Sequence, residues 1–298
     1  MGRSSLFSGR LGLAKARIPH ADRHGLLWLT RGNLHVSAGT LLFKAAGSDS
    51  IDPGNYGIPY QTISMILLGP GTTISHDALR ILARHGTLLV AVGEGGVKFY
   101  SAPPLGQGRS DVARAHVRLW ADEEARLDVA RRMYAIRFGQ LLPHKDISVL
   151  RGIEGGKTKE LYRIMAEKYE VPWKRRSYDR QNPTAADLPN QAINHAATFV
   201  ESAAEVAVSA LGAIPPLGFI HEGSSNAFTL DIADLWRATV TLPLAFSVTR
   251  KTIRIPDISL EREIRREAVS QFQKEKLIPK MIERIKELLH VDDSSSDA

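Results

Sequence analysis

Cysteine is absent from the 298-residue chain. That excludes disulfides, thiolate zinc sites and cysteine nucleophiles, and it fits a reducing, cytoplasmic setting. Long apolar runs are absent too. "ISMILLG" from Ile63 and "TLLVAV" from Thr87 fall far short of the ~18–20 residues a membrane helix needs. No membrane partner is therefore expected. No acid precedes Asp22, and the same stretch carries four basic side chains, Arg3, Arg10, Lys15 and Arg17. It lacks a clean apolar core with a small-residue cleavage site, so it reads as a basic start rather than a targeting segment. No internal repeat is visible. The one biased stretch is the acidic tail "VDDSSSDA" over 291–298, which reads as disordered.

What is present is an apolar fraction of 43%, enough for a real core, and a net charge of +7 from 39 basic and 32 acidic residues. A basic balance suits a polyanionic partner, and the placement of the charge carries more information than its total.

The chain changes character near its first third. Up to residue 100 it holds short apolar or alternating runs: "GLLWLT", "NLHVSAG", "TLLFKAA", "TISMILLG", "TLLVAVG" and "VKFYSA". Arg31-Gly32-Asn33, Ala38-Gly39, Pro53-Gly54-Asn55, Gly69-Pro70-Gly71 and Gly93 to Gly96 read as the turns between them. One helix, "ISHDALRILARHG", interrupts and should end at Gly86. A small β domain with one helix over 1–100 follows. "SAPPLGQGR" over 101–109 reads as a linker. From 110 to 290 the patterns are helical: one long stretch over 110–142, then 156–170, 190–212, 229–247, 259–273 and 276–290. The fold class is α+β in two domains.

Three segments are candidates for chemistry. "RGIEGGKT" over 151–158 imitates a phosphate-binding loop, but that motif needs a glycine where Arg151 stands, and Gly152 comes one residue late. A helix entry with close-packing glycines, carrying Glu154 near its start, is the plainer reading. "GFIHEGSSNAFTLDIAD" from Gly218 puts Asp231 and Asp234 at i and i+3, on one helix face. Two stacked carboxylates repel, so a divalent cation, a nearby arginine or solvent must compensate. His221-Glu222 is not the zinc-protease pattern, having no second histidine four residues on. Oxygen donors with one imidazole suit Mg²⁺ or Mn²⁺ better than structural zinc. "WKRRSYDR" clusters Lys174, Arg175, Arg176 and Arg180 with Trp173 and Tyr178, cations for phosphates beside rings for bases. The segment from Lys251 to Gln273 is also basic, but Asp257, Glu261, Glu263 and Glu267 balance it as a charged amphipathic helix.

Taken in order, "IPHADRHGLLWLTRGNLHV", "GPGTTISHDALRILARHGTLLVAVGEGGVKFY", "GQGRSDVARAH", "LRGIEGGKTKELY" and "GFIHEG…FTLDIADLWR" resemble the CRISPR-associated integrase of the adaptation machinery, type I-E subtype. The likeness runs from about Ile18 to Leu289. It implies an N-terminal β-sandwich domain and an all-helical C-terminal domain carrying a metal site. It implies Glu154, His221 and Asp234 as ligands of Mg²⁺ or Mn²⁺, with Asp231 as an accompanying catalytic acid. It implies attack by the 3′-hydroxyl of short foreign DNA on a phosphodiester at a repeat end, together with nuclease activity on branched DNA. Two homodimers flanking a dimer of a small ferredoxin-fold partner, a hetero-hexamer in the prokaryotic cytoplasm, are the implied assembly. Arg80, Lys98 and Tyr178 match DNA-contact positions. Arg31 replaces a duplex-stacking tyrosine, and Thr73 stands where relatives often have arginine. Relatives continue past the last helix with a segment that helps read the protospacer-adjacent motif. Rival expectations are a stand-alone structure-selective nuclease or repair factor, and a non-catalytic DNA-binding scaffold.

Overall fold

A computed structural model of the protein describes residues 26–47, 51–63, 65–101, 110–140, 142–144, 146–177, 186–255 and 257–291. The linker over 102–109, Tyr178, Arg180 and the tail after Val291 lie outside the described residues. The chain gathers into two compact units, one running to Ala91 and one holding Val92–Ser101 with the chain from Ser110. The glycine-rich segment after Val92 thus groups with the helices, although in sequence it continues the strand-forming part.

The first unit holds strands β1 (Leu26–Leu29), β2 (Gly32–Ser37), β3 (Thr40–Ala45), β4 (Gly54–Gly57), β5 (Met65–Leu68) and β6 (Thr72–Ile74), helix α1 (His76–His85) and all but the last residue of strand β7 (Leu88–Val92). β2 and β3 form a hairpin with Ser37 opposite Thr40. Its two-residue turn puts Ala38 at φ 48° and Gly39 at φ 79°, the handedness that matches strand twist. β3 alternates, burying Leu41, Phe43 and Ala45. β4 adds antiparallel to β3, and β6 adds parallel to β2. The Pro53-Gly54-Asn55 stretch is therefore an edge strand where a turn was expected. All four β4 residues are exposed, so main-chain bonds to β3 place it and side-chain pattern does not.

β1, β5 and β7 run parallel in the order β1-β5-β7. Met65, Ile66 and Leu67 of β5 are wholly buried, as a strand covered on both faces requires. Ser75 caps α1 by accepting from the Ala78 N–H at 3.2 Å, and Gly86 ends it at φ 65°. Leu29, Leu34, Phe43, Ile66, Ala78 and Leu82 share one core, so both sheets and the helix close on the same interior.

The second unit begins with a 3₁₀ turn, Glu94–Gly96, and strand β8 (Phe99–Ser101). Helices α2 (Asp111–Ala121), α3 (Glu123–Phe138), α4 (Ile147–Lys168), α5 (Leu188–Leu211), α6 (Ala227–Asp234), α7 (Leu242–Arg254), α8 (Leu260–Glu275) and α9 (Leu277–Leu289) follow. α5 is the axis. It buries Ala192, Ala196, Phe199, Ala203, Ala207 and much else, and it packs against α6, α7, α8 and α9. Its many small side chains let those neighbours approach on all sides.

Three expectations change here. The stretch over 110–142 is two helices, because Asp122 turns extended and caps α3 through the Ala125 N–H at 2.8 Å. The segment 151–158 lies inside α4, whose cap is Asp146; a phosphate loop is excluded, and Glu154 sits two turns in rather than at a helix entry. The glycines of that segment, Gly152, Gly155 and Gly156, have open space where a Cβ would stand, so close packing does not account for them. Beyond α6, the expected single helix breaks into a π-helical turn, Arg237–Thr241, in which the Trp236 carbonyl accepts from both Val240 and Thr241 N–H groups.

Gly95 adopts φ 61°, and a Cβ there would lie 2.2 Å from Val269. Gly95→Ala should destabilise the helical unit by about 1–3 kcal/mol. Gly39→Ala, equally left-handed but with nothing within 4 Å, should cost about 1 kcal/mol. Urea unfolding followed by helical circular dichroism and by a β-unit probe separates the two.

Candidate active site

The site is organised around Asp231, a wholly buried carboxylate on α6. Its Oδ2 accepts the Phe219 N–H at 2.6 Å and the Ile220 N–H at 3.0 Å. Its Oδ1 accepts the His221 N–H at 2.9 Å and pairs with His221 Nδ1 at 2.7 Å. Four donors offset the cost of burying the charge. They also wrap the segment from Gly218 to His221 around one side chain. Gly218 is needed there, since a Cβ would meet the His221 carbonyl at 2.4 Å and the Ala227 side chain at 2.8 Å.

α2 holds the same segment from outside. His116 and Trp120 are four residues apart on one helix face. His116 Nε2 donates to the Leu217 carbonyl at 2.8 Å, and Nδ1 accepts the Ile214 N–H at 3.2 Å. Burial lowers the His116 pKa, so the neutral ring with that tautomer is favoured. The ring packs between Phe219 at 5.3 Å and Phe228 at 4.3 Å. Trp120 Nε1 donates to the Gly218 carbonyl at 3.0 Å, and Arg151 donates to the Ile220 carbonyl at 2.6 Å.

With Nδ1 committed to Asp231, His221 turns Nε2 toward Asp234, 4.0 Å from Oδ2. The Asp231 hydrogen bond raises the His221 pKa from its ordinary 6.5; burial opposes the rise, and the charges of Asp231, Asp234 and Glu154 add to it. Glu154 enters from α4. Tyr134 donates to its Oε2 at 3.0 Å and Arg137 Nη2 to its Oε1 at 2.6 Å. Burial first, and then Glu154, raise the Tyr134 pKa, so the phenol stays a donor.

Arg137 is the hinge of the charges. Its side chain is 4% exposed, and the nitrogen that holds Glu154 also lies 3.5 Å from Asp234 Oδ2. Among the described residues its buried Nη1 has no hydrogen-bond partner. Arg237 takes the other oxygen of Asp234, with Nε at 3.1 Å and Nη2 closer. Glu201 of α5 adjoins the group; burial, then the charge of Asp234, raise its pKa.

The four residues expected to form the site are thus brought together, with different duties. Asp231 and Asp234 leave α6 in divergent environments, one sealed and one at the cleft. Of the compensations open for the two acids, arginine is the one seen. Among the described residues no three carboxylates and imidazoles stand at ion-holding spacing, because Arg137 and Arg237 occupy the carboxylate oxygens. Glu154 and Asp234 sharing one guanidinium nitrogen, beside a His221 nitrogen with no short partner, nevertheless define a position that calls for positive charge.

The basic residues fall into two groups. Arg80 is exposed on α1 and pairs with Asp77 at 3.0 Å. Lys98, Lys174 and Arg175 are exposed. Trp173 and Arg176 also serve the fold. Trp173 stacks on Tyr162 at 5.2 Å and meets Phe246 edge-on at 5.6 Å. Arg176 donates to Asn190 at 3.0 Å and Asn194 at 2.6 Å, tying its segment to α5. Arg31 is exposed at φ 52° between β1 and β2.

The sequence reading missed Tyr134, Arg137, Arg237, Glu201 and His116. Tyr134 and Arg137 share a face of α3, and Glu201 is an acid in an otherwise apolar α5; those were the available signals. Nothing in the spacing marked Arg137 as buried.

This architecture matches known proteins. The family model described as "CRISPR associated protein Cas1" matches residues 26–142 and 135–274. The CRISPR-associated endonuclease Cas1 of Geobacter sulfurreducens is 34% identical over 273 residues, covering 91% of this chain and 86% of that protein. That of Escherichia coli strain K12 is 35% identical over 274 residues, covering 91% and 87%. The structure of a TtCas1–DNA complex superposes with a TM-score of 0.80 at 33% identity, over 91% of this chain and 99% of that one. A casposase bound to its integration product shares the fold, with a TM-score of 0.62 at 17% identity over 92% of this chain and 99% of that one. The chain belongs to the CRISPR-associated protein Cas1 family.

Two outcomes follow from the geometry. The raised His221 pKa means the Asp231 pair contributes stability fully below pH 6.5 and loses it as pH rises through the folded value. In ion-free protein, imidazole NMR should place the His221 midpoint above 6.5, and Asp231→Asn should bring it down. His116→Leu takes the imidazole partner from the part-buried Ile214 N–H and Leu217 carbonyl and should cost about 1–3 kcal/mol in urea unfolding.

Proposed function

We propose that the chain is a metal-dependent DNA integrase and endonuclease of CRISPR adaptation. The observation that carries this reading is the meeting of Glu154 and Asp234 on one guanidinium nitrogen of Arg137, with His221 Nε2 turned toward Asp234. Glu154, His221 and Asp234 would hold Mg²⁺ or Mn²⁺, as an oxygen-rich set with one imidazole suits. When bound, such an ion supplies charge to the attacking hydroxyl, the phosphate and the leaving oxygen.

The chain's own residues do the rest. Asp231 holds His221 by Nδ1 and leaves Nε2 facing the cleft. Arg137 and Arg237 balance the acids and are placed to meet a phosphate that enters between them. The 3′-hydroxyl of short foreign DNA attacks a repeat phosphodiester: one P–O bond forms, the repeat's 3′-oxygen leaves with a proton, and no covalent protein intermediate is formed. Water in place of the hydroxyl gives hydrolysis, in line with relatives named endonucleases. Arg80, Lys98, Lys174 and Arg175 are proposed phosphate contacts, with Trp173 and Arg176 bracing the last two; Tyr178 joins them from outside the described residues. Duplex and branched DNA, a second copy of the chain, and a small ferredoxin-fold partner in a hetero-hexamer complete the proposed assembly. Its setting is the prokaryotic cytoplasm.

The test is integration of short duplexes into a repeat-bearing plasmid with the partner present. Glu154→Gln, His221→Ala and Asp234→Asn should each lower the rate roughly thousandfold, and Mn²⁺ should raise the melting temperature of wild type but not of Glu154→Gln. Integration by Asp234→Asn at the wild-type rate would overturn the site. Cleavage of branched DNA alone, with no repeat-directed insertion, would move the reading to a stand-alone nuclease.

A further inference from the structure

A groove of about 790 Å³ is lined by none of the residues given a chemical role above. Ile136, Leu235 and Trp236 form its apolar part, and Lys274, Lys276 and Lys280 line it from the α8–α9 side. Trp236 follows Asp234 by two residues and lines this groove, which Asp234 does not.

The tryptophan is unlike its neighbours in the helical unit. Trp120 donates its indole N–H to a carbonyl, and Trp173 stacks on Tyr162 and meets Phe246 edge-on. Trp236 is half-buried, and among the described residues its indole N–H has no partner and is not sealed from solvent. The charges are unbalanced in the same way. The groove's acids are engaged: Glu283 pairs with Lys286 at 3.0 Å, Glu287 with Arg284 at 2.9 Å, and Glu275 accepts from Gln271 at 3.1 Å. Lys274, Lys276 and Lys280 are exposed, with no carboxylate at ion-pair distance among the described residues.

Lys276 adds a further sign. It ends α8 at φ 52°, with its N–H on the Gln273 and Phe272 carbonyls. That left-handed position favours glycine, and a lysine there costs about 1 kcal/mol. The backbone does not need its side chain, which is delivered to the groove.

We propose that this groove is a second nucleic-acid subsite, seating unpaired nucleotides with a base on Trp236 and phosphates on Lys274, Lys276 and Lys280. An aromatic face beside free cations is the chemistry that holds single strands without reading their sequence. A base inside a duplex is stacked on both faces and offers none to an indole lying in a groove, so the site selects unpaired segments over the interior of a duplex. The inference rests on the nucleic-acid reading above but is independent of the metal.

Binding is measured in EDTA, by fluorescence anisotropy, on a blunt duplex and on the same duplex carrying a short unpaired dT tail. Trp236→Ala should weaken tailed binding roughly tenfold and leave the blunt duplex unchanged, while Trp236→Phe keeps most of the affinity. Replacing the three lysines by alanine should lower the log–log salt slope for the tailed substrate by about 2. Equal losses on both substrates, or none on the tailed one, would overturn the subsite. So would Trp236 emission that responds to the ferredoxin-fold protein and not to the tail. If wild type binds neither DNA, the nucleic-acid reading itself fails; if it binds blunt DNA with no effect of the tail, only the groove is lost.

Discussion

The buried carboxylate of Asp231 is the constraint on which the site depends. An anion with no access to water must find donors, and it takes them from three successive backbone N–H groups and one imidazole. That requirement bends the segment from Gly218 to His221 into a single shape. It also fixes which nitrogen of His221 faces the cleft. The α2 side chains His116 and Trp120 and the guanidinium of Arg151 hold the outer carbonyls of the same segment. The loop therefore has little freedom on either side, although it contains Gly218 and ends at Gly223.

The second balance is electrostatic. Glu154 from α4 and Asp234 from α6 approach one another only because Arg137 lies between them and Arg237 covers the far oxygen. A buried guanidinium with one unpartnered nitrogen is costly unless the site has a use for charge. Arg237 returns to Asp234 at i,i+3 spacing, and the π-helical turn begins at Arg237 itself.

Much of this was legible in the sequence, for physical reasons that can be named. Alternation and glycine turns marked the strands around Leu34, Leu41 and Phe43, and Gly86 marked the end of α1. Motif order led to Glu154, His221, Asp231 and Asp234, which the tertiary structure gathers. What failed were features that local pattern does not carry. β4 has no apolar residue on a buried face, so only its pairing with β3 reveals it. Asp122 falls inside the stretch expected as one helix and is a cap. The glycines beside Glu154 looked like packing residues and meet open space.

The sequence by itself determined the composition of the two units, the helical period that makes α5 an interior helix, and the residue types able to carry phosphodiester chemistry. Each of these depends on a local repeat or on a side chain's own donors and charge. The tertiary structure decided which acid is sealed and which is at the cleft, and made Arg137, Tyr134 and His116 part of the site. It also left Trp236 and three lysines facing a groove. Those outcomes depend on burial and on contacts between residues far apart in the chain, and spacing along the chain does not encode either.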